Sequence, residues 1–146
     1  MVRAISSALL LAFVACAQAQ TPEERLFEAI EAGKPLVAEG IVLRTRVDLD
    51  ARNSERETPL HLAIEKGFKE LTELMLKAGA PVGARSANGG TPLHHAALHE
   101  DSWFVDLLLL AKAAPRARND DGESVLQWAV MTGNARTARN LSLIHI

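Results

Sequence analysis

The sequence predicts an all-α solenoid in which short helix-turn-helix units stack along one axis. Three observations carry that prediction. The stretch Thr58-Pro59-Leu60-His61-Leu62-Ala63 returns thirty-three residues later as Thr91-Pro92-Leu93-His94-His95-Ala96. It returns again, worn, as Ser124-Val125-Leu126-Gln127-Trp128-Ala129. Between recurrences, apolar residues fall at i, i+3 and i+4, the spacing of a helix with one buried stripe. Finally, aromatics make up only 4% of a chain that is 48% hydrophobic, with no tyrosine, so the core is expected to be Leu and Ala rather than a sandwich of sheets.

The first residues read as an export signal. Arg3 supplies a positive charge, Ala4 to Val14 an apolar run short for a bilayer, and Ala17-Gln18-Ala19 a small-x-small cleavage pattern. A cleaved signal over 1–19 follows, with the mature chain starting near Gln20 in a bacterial periplasm or secreted. An uncleaved anchor is the competing reading. Cys16 is the only cysteine. With Phe13-Val14-Ala15 it loosely resembles a lipobox, in which the cysteine is lipidated and tethers the protein, although phenylalanine departs from the leucine usual there. Cleavage at Ala19 leaves no thiol, and with it no disulfide or thiol catalysis.

Thr21-Pro22-Glu23-Glu24 opens the first unit: a capping threonine, proline at the first helical position, then two acids at the positive end of the helix dipole. Leu26, Phe27, Ala29 and Ile30 form its apolar face. Gly33 ends the helix, and Lys34-Pro35 starts a second one carrying Leu36, Val37, Ile41 and Leu43. Ala29 to Gly33 aligns with Ala63 to Gly67 at a spacing of thirty-four, whereas Ala51-Arg52 aligns with Ala84-Arg85 at thirty-three. One extra residue therefore sits around 44–48. That slip marks 22–52 as a degenerate N-terminal capping repeat, because a terminal unit turns one face to water.

The second unit, 53–85, is the best preserved. Thr58 caps its first helix, Pro59 begins it, and Leu60, Ala63 and Ile64 follow on one face. Gly67 makes the turn, Leu71, Leu74 and Met75 line the second helix, and Gly79 stops it. The third unit, 86–118, repeats this with Thr91, Pro92, Leu93, Ala96 and Ala97, then Phe104, Leu107 and Leu108. Glu100 replaces the turn glycine and Lys112 the capping glycine. Either Glu100 takes a left-handed backbone, costing about 1 kcal/mol, or the turn relaxes with Asp101-Ser102 capping the next helix. The fourth unit, 119–140, is partial. The closing residues 141–146 depart from the pattern and match one frame of a transposon end used in preparing sequencing libraries. They are expected to be a non-native tail on a C-terminally truncated chain, with a genuine short apolar terminus as the alternative.

A fixed period in the thirties built round Thr-Pro-Leu-His-x-Ala resembles the ankyrin repeat family, over roughly 22–141. The resemblance implies an ankyrin-repeat solenoid with β-hairpin-like loops and a non-catalytic protein-protein interaction module. It makes Thr58, Pro59, Leu60, His61, Gly67, Thr91, Pro92, Leu93 and His94 structural, each motif histidine tying a helix start to the neighbouring loop. It also places the variable, exposed positions at the loop tips and after the helix alanines. Here those are Ser54, Glu55, Glu57, Ala87, Asn88, Gly90, Asp120, Asp121 and Glu123, with Glu65, Lys66, Leu98, His99, Met131 and Thr132 on the helices. Leu62, His95 and Trp128 share one repeat position, read as inter-repeat packing; Trp103 is expected to be partly exposed for a partner. The acidic outer tips suit a basic or polar protein.

Other chemistries find little support. Net charge of −2 and pI near 6.2 give no electrostatic case for nucleic acid. His95 and His99 have a metal-ligand spacing, but without cysteine or a suitably placed acid no metal is expected. The run 119–123 lacks calcium-loop spacing and reads as a turn. No phosphate-cradling glycine loop or nucleophile elbow occurs, so no catalytic residues and no cofactor are expected, nor a membrane contact unless Cys16 is lipidated. Two further readings are an exported effector whose active part lies beyond the truncation and a lipid-anchored envelope protein.

Overall fold

The computed structural model describes residues 20–143. The signal reading of 1–19 with Cys16, and the last three residues of the 141–146 stretch, lie outside the described residues. Among the described residues eight helices form: α1 (Pro22–Glu31), α2 (Pro35–Arg44), α3 (Pro59–Glu65), α4 (Lys69–Lys77), α5 (Pro92–Ala97), α6 (Trp103–Leu110), α7 (Val125–Met131) and α8 (Ala135–Leu143). They pack in sequential pairs. The first helices also stack on one another in the order α1, α3, α5, α7, and α2 packs on α4.

Each first helix starts the same way. Thr21, Thr58, Thr91 and Ser124 hold extended backbone at the N-cap, and the residue three further on returns a side chain to the cap backbone. Glu24 does this in α1 and Gln127 in α7. Histidine does it in α3 and α5. Proline leads three of the four, where its fixed φ suits a helix start and its missing N–H costs nothing.

The buried hydrophobic side chains are almost all aliphatic, as composition predicts. Leu26, Ile30, Leu60, Ile64, Leu71, Met75, Leu93, Leu108 and Leu141 are fully buried, together with the ring of Phe104. Burial of each such side chain contributes roughly 1.5–3 kcal/mol. Ala63, Ala96, Ala97 and Ala129 have no exposed surface, and their small size lets neighbouring helices approach. Leu141 packs into this core because α8 continues through the first three residues of the tail stretch. On α2 only Ala38 and Ile41 are buried, while Leu36, Val37 and Leu43 face outward.

Of the two alternatives for the turn between the helices of the third unit, the second occurs. The α5–α6 turn relaxes: α5 ends at Ala97 and Glu100 keeps an ordinary φ. Asp101 then caps α6, its Oδ1 accepting from the Trp103 N–H at 3.0 Å. Ser102 makes no such cap. Among the described residues, the non-glycine ones with a left-handed backbone are Lys112 (φ 69°) and Arg56 (φ 59°).

Candidate functional site

The loops that project between repeats are built on one template. The N–H groups of Asn53, Ser86 and Asn119 donate to the carbonyls of Glu57, Gly90 and Glu123 at 3.0, 2.9 and 3.0 Å. Those of Arg56, Gly89 and Gly122 donate back to Asn53, Ser86 and Asn119. Each loop is thus a tight hairpin-like turn. Successive turns join to each other: Ala87 N–H donates to Glu55 O at 2.8 Å and Asp120 N–H to Asn88 O at 3.0 Å.

An arginine ladder reinforces this join. Arg52 Nη1 donates to the Arg85 carbonyl at 2.7 Å, and Arg85 Nη2 to the Arg118 carbonyl at 2.9 Å. Within the last loop, Arg118 Nη1 donates to Gly122 O at 2.6 Å. The sequence aligned two of these arginines by repeat but did not reveal their linking role. Their signal was the recurrence of Ala-Arg at 51–52, 84–85 and 117–118.

The motif histidines are structural links in the fold. His61 Nδ1 accepts from Thr58 N–H at 3.2 Å, and its Nε2 lies 3.2 Å from Gly90 O. His94 makes the same two contacts with Thr91 N–H at 3.1 Å and Glu123 O at 3.2 Å. Because a carbonyl only accepts, Nε2 carries the proton in both rings. Burial pulls both pKa values down, that of His61 to about 4, with the neighbouring His95 adding to the effect.

The expected partner-facing positions fall into three groups. Glu55, Ala87, Asn88, Asp120 and Asp121 at the loop tips are exposed, as are Glu65, Lys66, Leu98 and Met131 on the helices. His99 is half-buried, its ring 4.9 Å from Phe104. Glu57 and Gly90 do not belong to the free surface, because each lies at the closing end of its loop, where the next helix begins, and both are buried. Trp103 is only partly exposed: its ring packs edge-on against Phe104 at 5.1 Å and lies under Lys69 Nζ at 5.3 Å. Lys69 is also paired with Asp101, and that pairing lowers the Asp101 pKa.

Leu98 and Met131, one stride apart, are 47% and 74% exposed. With Glu123, Trp128 and Thr132 they line an open, mostly apolar concavity of about 290 Å³. Trp128 is held rigidly there: its Nε1 donates to Glu123 Oε2 at 2.8 Å and its ring stands edge-on to His94 at 5.2 Å. Asn119 Nδ2 donates to the same Glu123 oxygen at 2.9 Å. The Trp128 bond and then the Asn119 bond hold the Glu123 carboxyl below its usual range. An anchored indole, two bare aliphatic chains and a fixed carboxylate offer a partner both apolar contact and negative charge.

The stripe of Leu62, His95 and Trp128 does pack between repeats. Leu62 is buried, and the His95 ring lies 5.0 Å from His61 and 6.2 Å from Trp128. His95 and His99 are engaged separately, so the pairing weighed from their spacing does not form. His95 instead faces Glu57, its Nε2 3.9 Å from Glu57 Oε1. Burial raises the Glu57 pKa, with Glu65, Glu55 and Glu31 adding to the rise, and burial lowers that of His95.

A family model described as ankyrin repeats, in three copies, matches residues 26–119. No curated protein matches the chain.

Proposed function

The chain belongs to the ankyrin-repeat family, and from that premise we propose that it is an exported binding module gripping a protein through its first-helix face and loop tips. Ankyrin repeats mediate binding to other proteins and typically act as non-catalytic scaffolds. The observation that supports this particular surface is the Leu98–Trp128–Met131 concavity beside Glu123. Exposed aliphatic side chains grouped round a fixed indole are the composition of an interface centre, where aromatic anchors carry most of the binding energy. Asp120, Asp121 and Glu123 give its rim negative charge, so the partner segment carries an apolar side chain flanked by Lys or Arg.

The test is to identify partners by crosslinking in the periplasmic fraction and then measure affinity with purified proteins. Leu98→Asp with Met131→Asp is expected to weaken binding by on the order of a hundredfold, as loss of a central contact does. Leu110→Asp, at an exposed residue of α6, is expected to leave affinity unchanged. Equal affinity of wild type and the double variant would sink the assignment of this surface.

Export rests on the pattern of Arg3, the apolar run and Ala17-Gln18-Ala19. The mass of the chain recovered from cells tests it. A mature start at Gln20 supports cleavage after Ala19, a lipid-modified Cys16 supports a tethered envelope protein, and an intact Met1 in the cytoplasm refutes both.

A further inference from the structure

Glu57, Glu65 and His95 converge from two successive repeats. Glu57 lies just ahead of α3, Glu65 is the last residue of that helix, and His95 is the fourth residue of α5. One potential ligand atom from each lies within 4.8 Å of the other two. The side chains of His95 and Glu57 are only 11% and 8% exposed, whereas Glu65 stands at the surface. The His95 Nε2 atom is shut away from solvent and has no hydrogen-bond partner. A buried nitrogen left without a partner costs on the order of 1–3 kcal/mol, and two neighbouring carboxylates repel. Both penalties vanish if a cation sits between the three groups.

We propose that Glu57, Glu65 and His95 bind a divalent transition metal, with Zn²⁺ the ion whose chemistry fits best. One imidazole and two carboxylates form a mixed nitrogen and oxygen donor set that zinc accepts, while Ca²⁺ and Mg²⁺ take oxygen alone. The charge of the dication offsets the two carboxylates. Bonds of about 2.0–2.2 Å place tetrahedral ligands roughly 3.4 Å apart, so the cluster must contract, and surface-exposed Glu65 has room to swing inward. Glu57 is already aimed. Its N–H donates to Asn53 Oδ1 at 2.9 Å and its Oε2 accepts from Asn53 Nδ2 at 3.4 Å, leaving Oε1 toward His95. A partner of this kind behind a ligand fixes its orientation and strengthens metal binding. The repeat frame does not require these residues, since one stride on the same positions hold Gly90, Leu98 and Trp128. Three protein ligands leave a coordination position open to water or to a side chain of a bound protein.

Calorimetric titration of the full chain with ZnCl₂ is expected to show one ion bound per chain. Substitution by Co²⁺ should give the visible absorption of a low-symmetry nitrogen and oxygen site. His95→Gln and Glu65→Gln should each weaken binding by at least about tenfold. Glu65 is exposed, so circular dichroism of Glu65→Gln should match wild type and separate ligand loss from unfolding. His99→Gln should leave affinity unchanged. Absence of binding overturns the proposal, as does binding that survives both His95→Gln and Glu65→Gln, the result expected of a site at Cys16 or elsewhere. An equal loss in His99→Gln overturns it too.

Discussion

His61 Nε2 and the carbonyl oxygen of Gly90, 29 residues apart, share a buried hydrogen bond of 3.2 Å. Its other ring nitrogen is occupied by the N–H of Thr58, so one imidazole fixes both the start of α3 and the end of the following loop. Only the neutral ring can do this. Protonation would turn Nδ1 into a donor facing the Thr58 N–H. His94 repeats the arrangement with Thr91 and Glu123.

Acid should therefore weaken the fold through these rings. The folded-state pKa of His61 lies near 4, against an ordinary value of 6.5. A base with a depressed folded pKa contributes its full stability above the unfolded value. It loses that stability as pH falls from about 6.5 toward 4, because the unfolded chain takes up the proton first. The shift corresponds to on the order of 3 kcal/mol, with His94 acting in the same direction. Urea unfolding at pH 7 and pH 4.5, with chelator present, measures it. His61→Gln should unfold more easily at pH 7 yet lose less on acidification; parallel losses in both proteins would contradict this account.

Replacing Lys112 with glycine should stabilise the protein. Lys112 stands where the preceding repeat has Gly79, and both hold positive φ, 69° and 90°. A left-handed backbone costs a residue with Cβ about 1–2 kcal/mol. Glycine gives back part of that gain through its freer unfolded chain, leaving a net gain of ~0.5–1 kcal/mol. Lys112→Ala retains the Cβ and should give none. Thermal unfolding of the two variants side by side decides the matter.

Trp103→Ala should cost ~2–3 kcal/mol, below the range for a fully buried large aromatic because the ring is partly exposed. The indole packs on the core and edge-on to Phe104. A loss below about 0.5 kcal/mol, the range of ordinary surface substitutions, would return Trp103 to the set of residues kept for a partner.

Much of this was legible in the sequence because the repeat is local. Thr58-Pro59 announces a helix start, the recurrence at Thr91-Pro92 announces another, and the apolar spacing between them assigns their buried faces. Relationships that cross repeats were harder to see. Glu57 read as a loop-tip acid because nothing in a single repeat shows that His95 of the next one lies against it. Arg52 and Arg85 likewise bond carbonyls thirty-three residues away, and a carbonyl leaves no mark on residue identity. Glu100 left a choice open for a different reason. Its place in the alignment allowed either a left-handed turn or a relaxed one, and only the Asp101 Oδ1 bond to the Trp103 N–H, which residue identity does not fix, selects the second.

Gly89 and Gly122 offer a controlled measurement of how much the joined loops depend on close approach. They occupy the same loop position one stride apart, with φ of 76° and 78°, so alanine meets the same backbone cost in each, about 1–2 kcal/mol. Their surroundings differ. A Cβ on Gly122 meets nothing within 4 Å, whereas one on Gly89 would lie 2.7 Å from the backbone nitrogen of Asp120 and 2.3 Å from its Oδ1. The carboxylate can rotate aside. The backbone nitrogen cannot move without breaking its bond to Asn88 O and disturbing the Arg85–Asp120 contact. Gly89→Ala should therefore destabilise by ~1–3 kcal/mol more than Gly122→Ala, the penalty typical of overpacking. Hydrogen exchange at the Asp120 amide should rise only in Gly89→Ala. Equal losses in the two variants would mean that the successive loops are not packed tightly enough to transmit one repeat's geometry to the next.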